Sequence, residues 1–208
     1  DSEFLRRAML DLYGRIPSAD EARAFFEDSA ADKRSRLLDR LLDSPRFARH
    51  MATTFDVLWL ERRTDKNVAV ALWYDFLYQS FLKNKPYDKL VREVLAAEGT
   101  PEMRGATKFY QARASEPDAM TRDIGRLMFG MDMQCNQCHD HPIVEDYKIG
   151  DYYGLRAFVT RTYLFQDAKS KQQVVAEKAD GEASFTNVFT SASSKKVWYP
   201  SSSRRCGL

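Results

Sequence analysis

Cysteine is scarce in this sequence: there are three in 208 residues, of which Cys135 and Cys138 lie three positions apart and Cys206 sits in a Ser/Arg-rich tail. That count and spacing exclude a disulfide framework as the basis of the fold. Net charge is nearly absent too. Lys and Arg number 32 against 30 Asp and Glu, a formal +2, and the two signs intermingle along the chain. No basic stripe is therefore available for nucleic acid or a membrane surface. No apolar run approaches the ~18 residues that a bilayer requires, so no membrane span is expected. The opening "DSEFLRRAMLDLYG" has no basic-then-apolar leader, which is also how a chain trimmed of its export signal would begin. The length suits one sizeable domain with a buried core, at most with a small appendage.

What is present is helical periodicity punctuated by turn residues. Phe4, Leu5, Ala8 and Leu12 recur at helical spacing up to Gly14, which can take the left-handed conformation of a helix end. Ser18 with Glu21 forms a capping box for a second helix bearing Ala22, Phe25 and Phe26. "DKRSRLLDRLLDS" predicts a third, with Leu37, Leu38, Leu41 and Leu42 on one stripe. Ser44-Pro45 then supplies the cap and first-turn proline of a fourth, running to about Glu61 and containing His50 and Met51. "NVAVALWYDFLYQSFLKN" predicts a fifth helix. "PYDKLVREVLAAEG" predicts a sixth, with Asp88 as cap and Gly99 as stop. Residues 100–114 read as a looser stretch, and "SEPDAMTRDIGRLMFG" as a seventh helix capped by Ser115 and ended by Gly130.

Further on, "DYYGLRAFVTRTY" predicts a short helix. "QQVVAEKADGEASFTNVFT" predicts a β-hairpin turning at Asp180-Gly181. The expected fold class is mainly α, a multi-helix domain over residues 1–190 with a C-terminal β-hairpin. Residues 191–208 are expected to be disordered or vector-derived.

The chemistry concentrates in "QCNQCHDHP", residues 134–142, which holds two of the three cysteines and two of the three histidines. Cys135, Cys138 and His139 form C-x-x-C-H, the spacing of covalent c-type haem attachment. Two thiols three residues apart can add to the two vinyl groups on one porphyrin edge, and the next residue can then bring its imidazole to the iron. His139 is thus the expected proximal ligand. A ligand on the opposite side would come from His50, Met51, Met120 or Met128, since His and Met are the usual second ligands of electron-transfer haems. Each methionine equally suits an apolar helical stripe, and His50 a solvated face. An open sixth position would favour an enzyme acting on peroxide or another small ligand, with His50, Arg122 and Arg126 as distal groups.

A second reading is a bare metal site: Cys135, Cys138, His139 and His141 are four donors that zinc or iron accepts, although crowded into seven residues. A third is a local disulfide within an interaction domain. A redox dithiol wants a βαβ setting that is missing here. His141 and Asp140 can orient His139 by a hydrogen bond, as outer groups around ligating imidazoles do, and Tyr147, Tyr152, Tyr153 and Phe158 offer an aromatic wall.

The motifs "FLRRAMLDLYGRIPSADEARAFFED", "KRSRLLDRLLDSPRFARHMATTFDVLWL", "NKPYDKLVREVLAAEG", "TRDIGRLMFGMDMQCNQCHDHP" and "DYYGLRAFV", in that order from about Phe4 to Phe189, resemble the secreted, cytochrome-like family of planctomycetes and related bacteria known as domain of unknown function 1549. The resemblance implies an extracytoplasmic location, periplasmic or secreted, and haem c at Cys135, Cys138 and His139. It also implies, as partner, a redox protein or a downstream domain of the same full-length protein. Relatives often follow the H-D-H-P with a tryptophan-containing turn, where this chain has "IVEDYKIG".

Overall fold

The computed structural model describes residues 1–61, 68–96, 104–169 and 171–198. Helix α1 (Ser2–Tyr13) ends where expected: Gly14 has φ +69° and its N–H donates to Leu10 O. His50 of α4 (Pro45–Leu60) lies against that glycine, so close that a Cβ there would come within 2.5 Å of its Nδ1. Helix α2 (Ala19–Glu27) begins with the full capping box, Ser18 and Glu21 each accepting from the other's backbone N–H. Arg15 reinforces it by donating two hydrogen bonds, 2.7 and 2.8 Å, to the Glu21 carboxylate, and this pairing holds the Glu21 pKa down at about 2. Helix α3 (Lys33–Leu42) adds Leu37 and Leu41 to a core with Leu5, Ala8, Met9 and Phe25.

Helix α4 carries the predicted Ser44 cap and first-turn proline, and it packs along α5 (Val70–Leu82). Trp59 and Trp73 are buried at that seam, with Phe55, Phe76 and Phe81 ringed around them in mostly edge-on and tilted contacts. Helix α6 (Tyr87–Leu95) starts one residue before Asp88, so Asp88 stands in its first turn instead of capping it. The expected Gly99 stop lies outside the described residues.

The described residues gather into two compact units, 1–61 with 69–93, and 68 with 94–96, 104–169 and 171–198. In the second, the stretch expected to be loose contains a buried helical turn, α7 (Lys108–Gln111), with Lys108 donating through Nζ to Val68 O. Arg113, also buried, pairs with Asp123 at 2.6 Å and lies over the Phe109 ring. Helix α8 (Pro117–Met128) is capped by the Glu116 carboxylate and not by Ser115. Ser115 is buried with a positive φ of 52°, and its hydroxyl makes no hydrogen bond to the helix end. Helix α9 (Ile149–Val159) is the hub of this unit, packing on α8 and on the C-terminal strands.

Those strands are β1 (Thr162–Gln166), β2 (Gln173–Glu177), β3 (Gly181–Thr186) and β4 (Ser193–Trp198), paired antiparallel as β1–β2 and β3–β4. A C-terminal hairpin is present as expected, but its turn is not Asp180-Gly181, which joins two different hairpins. Gly181 instead permits close approach: a Cβ there would sit 2.0 Å from Ala157 O of α9. Residues 193–198, expected to be disordered, form β4, because a Ser/Lys-rich run gains its order from the neighbouring strand's hydrogen bonds and not from its own apolar pattern. Residues 199–208 lie outside the described residues.

Two outcomes follow for the first unit. Gly14→Ala is expected to lower stability in urea melts by about 1–2 kcal/mol for the left-handed backbone alone, with His50 displaced in addition. The Glu21 carboxylate, depressed in the folded state, stabilises above its unfolded value of about 4.3 and loses that contribution as pH falls toward about 2. Both side chains of the pair are more than a third exposed, so the effect stays within about 1 kcal/mol. Thermal melts between those pH values should show a shallower acid loss in Glu21→Gln than in the wild type.

Candidate functional site around Cys135, Cys138 and His139

The C-x-x-C-H lies in the segment 129–148 between α8 and α9, which has little regular structure and is positioned by ties to both helices. Gly130, with φ +67°, turns the chain out of α8, and Cys135–Gln137 form one 3-10 turn. Arg122 of α8 donates to the Gln137 side-chain oxygen at 3.2 Å. Tyr153 of α9 donates to the Gln137 backbone carbonyl at 3.0 Å. The helices themselves are joined at Asp118, which accepts from Tyr152 Oη at 3.0 Å and Arg156 Nε at 2.6 Å. The Arg156 guanidinium, and then the Tyr152 hydroxyl, hold the Asp118 carboxyl below its usual range. Burial, reinforced by that carboxylate, raises the Tyr152 phenol.

Both thiols are free and exposed. The His139 imidazole faces Asp140 O through Nδ1 at 2.6 Å. A carbonyl can only accept, so Nδ1 carries the proton and the lone pair is left on Nε2, the tautomer a metal-binding imidazole needs. The expected orienting group is thus the backbone of Asp140. Its carboxylate instead accepts from Ile149 N at 2.8 Å and caps α9.

His141 is used differently from either expectation. Its Nδ1 accepts from Ile143 N and Val144 N at 3.2 and 2.9 Å, and Tyr147 lies edge-on to its ring. With Nδ1 accepting, the neutral ring carries its proton on Nε2. Ligation through Nε2 would move that proton to Nδ1 and break both loop hydrogen bonds. Among the described residues no group of three or more His, Cys, Asp or Glu side chains is placed to hold a metal ion, so Cys135, Cys138, His139 and His141 do not converge as a four-donor site.

The other named candidates are scattered. Met120 and Met128 are buried with Ile124 on the inner stripe of α8. His50 and Met51 belong to the first unit, His50 against Gly14. Arg126 pairs with Asp123 on the surface. The four aromatics serve separately: Tyr147 at His141, Tyr152 and Tyr153 at the ties above, and Phe158 beneath the Arg161 guanidinium.

Two residues of the site were invisible to motif reading. Phe189, in the turn between β3 and β4, lies with its ring centroid 4.8 Å from that of His139. Asn136, between the two cysteines, is fully buried and neither atom of its amide has a hydrogen-bond partner. Nothing in the C-x-x-C spacing marks an intervening position as inward-facing.

Two exposed thiols and an imidazole with a free Nε2 are donors open to a group from outside, and among the described residues they do not close into a four-donor metal cage. An unpaired buried amide costs about 1–3 kcal/mol. Asn136→Leu, close in size and apolar, is accordingly expected to raise stability by that order in guanidinium melts. A loss of stability would show that the amide is hydrogen-bonded in the folded protein after all.

No curated protein and no solved structure matches the chain. A family model does, over residues 1–163, and its description is PSCyt2, protein of unknown function (DUF1549). The match takes in α1 to α9 and the C-x-x-C-H loop and stops within β1, before the β3–β4 turn that carries Phe189. With roughly four-fifths of its length matched, the chain belongs to the PSCyt2 (DUF1549) family.

Proposed function

We propose that this chain is an extracytoplasmic c-type haem domain, holding haem by thioether bonds at Cys135 and Cys138 with His139 as proximal ligand, and working in electron transfer. The observation that carries the reading is the C-x-x-C-H set in a short turn, with both thiols exposed and the His139 lone pair left on Nε2. Each thiol adds its S–H across one vinyl double bond, sulfur to one carbon and hydrogen to the next, so attachment consumes no oxidant. Asp140 O keeps the imidazole in the ligating tautomer, and Arg122 and Tyr153 brace the turn through Gln137. When bound, the haem would supply a one-electron couple. The electrons would pass to a redox protein or to a downstream domain of the same full-length protein. Among the described residues no helix is long and apolar enough to cross a membrane.

The alternative, a zinc or iron module on Cys135, Cys138, His139 and His141, would require the His141 loop to surrender two backbone hydrogen bonds. Intact mass and a pyridine haemochrome spectrum, on chain exported in a host with c-type maturation, separate the two. The expected result is a mass gain of one haem, abolished in Cys135→Ala, Cys138→Ala. An unmodified mass without a Soret band, where a control cytochrome matures, overturns the proposal, and zinc or iron in elemental analysis of that colourless protein would favour the alternative.

A further inference from the structure

We infer that Phe189 is a positioning residue for His139: the β3–β4 turn acts as a rigid strap that sets its phenyl ring against the imidazole and fixes the imidazole's rotation. The inference rests on the haem reading and adds to it a residue from beyond the part of the chain that the family model covers.

Phe189 is 77% exposed and Val188 beside it 61% exposed, so neither contributes much burial to the fold. An exposed phenylalanine on a floppy loop would mean little, but this turn is tightly built. Asn187, itself buried, accepts through Oδ1 from Phe189 N and Thr190 N at 2.9 and 3.2 Å. Its backbone N–H donates to Ala192 O, and Ser191 N donates back to Asn187 O. Ser191 takes a positive φ of 55° to close the loop, a conformation a serine adopts at a cost. The turn is also tied to the site, because Val188 N donates to Cys138 O at 3.2 Å. Below it, Phe185 of β3 stacks on Tyr153, whose hydroxyl holds the Gln137 carbonyl. A turn closed by four local hydrogen bonds and bonded to the second cysteine's carbonyl thus presents one aromatic ring, at 4.8 Å, to the imidazole of the next residue.

The hydrogen bond from Nδ1 to Asp140 O selects a tautomer but leaves the imidazole free to swing about that bond. An aromatic ring against the imidazole removes that freedom. Rotation of the imidazole sets how its Nε2 lone pair meets a bound metal, so a ring held at one angle acts on the reduction potential.

The test has two readouts. In the haem-free chain, proton NMR should show the His139 ring protons displaced by the Phe189 ring current, and Phe189→Ala should return them toward free-histidine positions with the circular dichroism unchanged. In the haem-bearing exported chain, Phe189→Ala should shift the midpoint potential and Phe189→Trp should restore it toward wild type. His139 resonances indifferent to Phe189→Ala overturn the contact whatever the haem content. Resonances that move while the potential does not, in protein carrying haem, overturn the positioning role. A wild-type chain that shows the ring-current shift but acquires no haem under active maturation removes the haem reading, and with it the role of Phe189 toward iron.

Discussion

The Asp118 carboxylate holds α8 to α9 by accepting from Tyr152 and Arg156 at once, and the cysteine–histidine loop depends on that junction. Residues 129–148 contain no helix longer than the single 3-10 turn, so the loop's geometry is borrowed from the two helices at its ends. Arg122 reaches the loop from α8 and Tyr153 from α9, and both end on Gln137. Asp140 closes the far end by capping α9. Because Asp118 is held below the usual carboxylate range, first by Arg156, the clamp is intact at neutral pH.

The buried amide of Asn136 is the counterpart of that rigidity. Stable cores seldom keep a side chain whose polar atoms all lack partners. Its position between Cys135 and Cys138 places this cost at the one point where the motif predicts a prosthetic group. His139 and Phe189 add to the same picture, each held by its own backbone geometry and turned toward the other.

Belonging to the PSCyt2 (DUF1549) family sets the helical scaffold and the loop in a shared context without assigning a reaction to them. The first unit, with the α1–α3 core and the aromatic seam of α4 and α5, carries His50 in a structural place against Gly14. His50 therefore has a packing explanation that motif counting could not supply.

Helices α1 to α5 and α8 were legible from the sequence because each is a local matter: apolar residues at helical spacing, a Ser18–Glu21 box, a first-turn proline after Ser44, and Gly14 and Gly130 as stops. The C-x-x-C-H was legible for the same reason, being a spacing within five residues. Strand pairing was not. Asp180-Gly181 has the composition of a turn, yet Gly181 is there to let β3 approach the backbone of α9, a requirement set by a residue 24 positions earlier, Ala157. Likewise β4 looks like a tail until β3 supplies its hydrogen-bond partners, and Phe189 looks like the end of a strand until the turn lays it on His139, fifty residues back. Helical spacing and caps mark the longer helices in the chain, though not α7, and five adjacent residues carry the C-x-x-C-H. That His139 keeps its Nε2 free, that His141 is spent on its own loop and that a distant phenylalanine lies against His139 arise only in three dimensions, because side-chain hydrogen bonds and ring contacts, to a near residue or across fifty, leave no period in the chain.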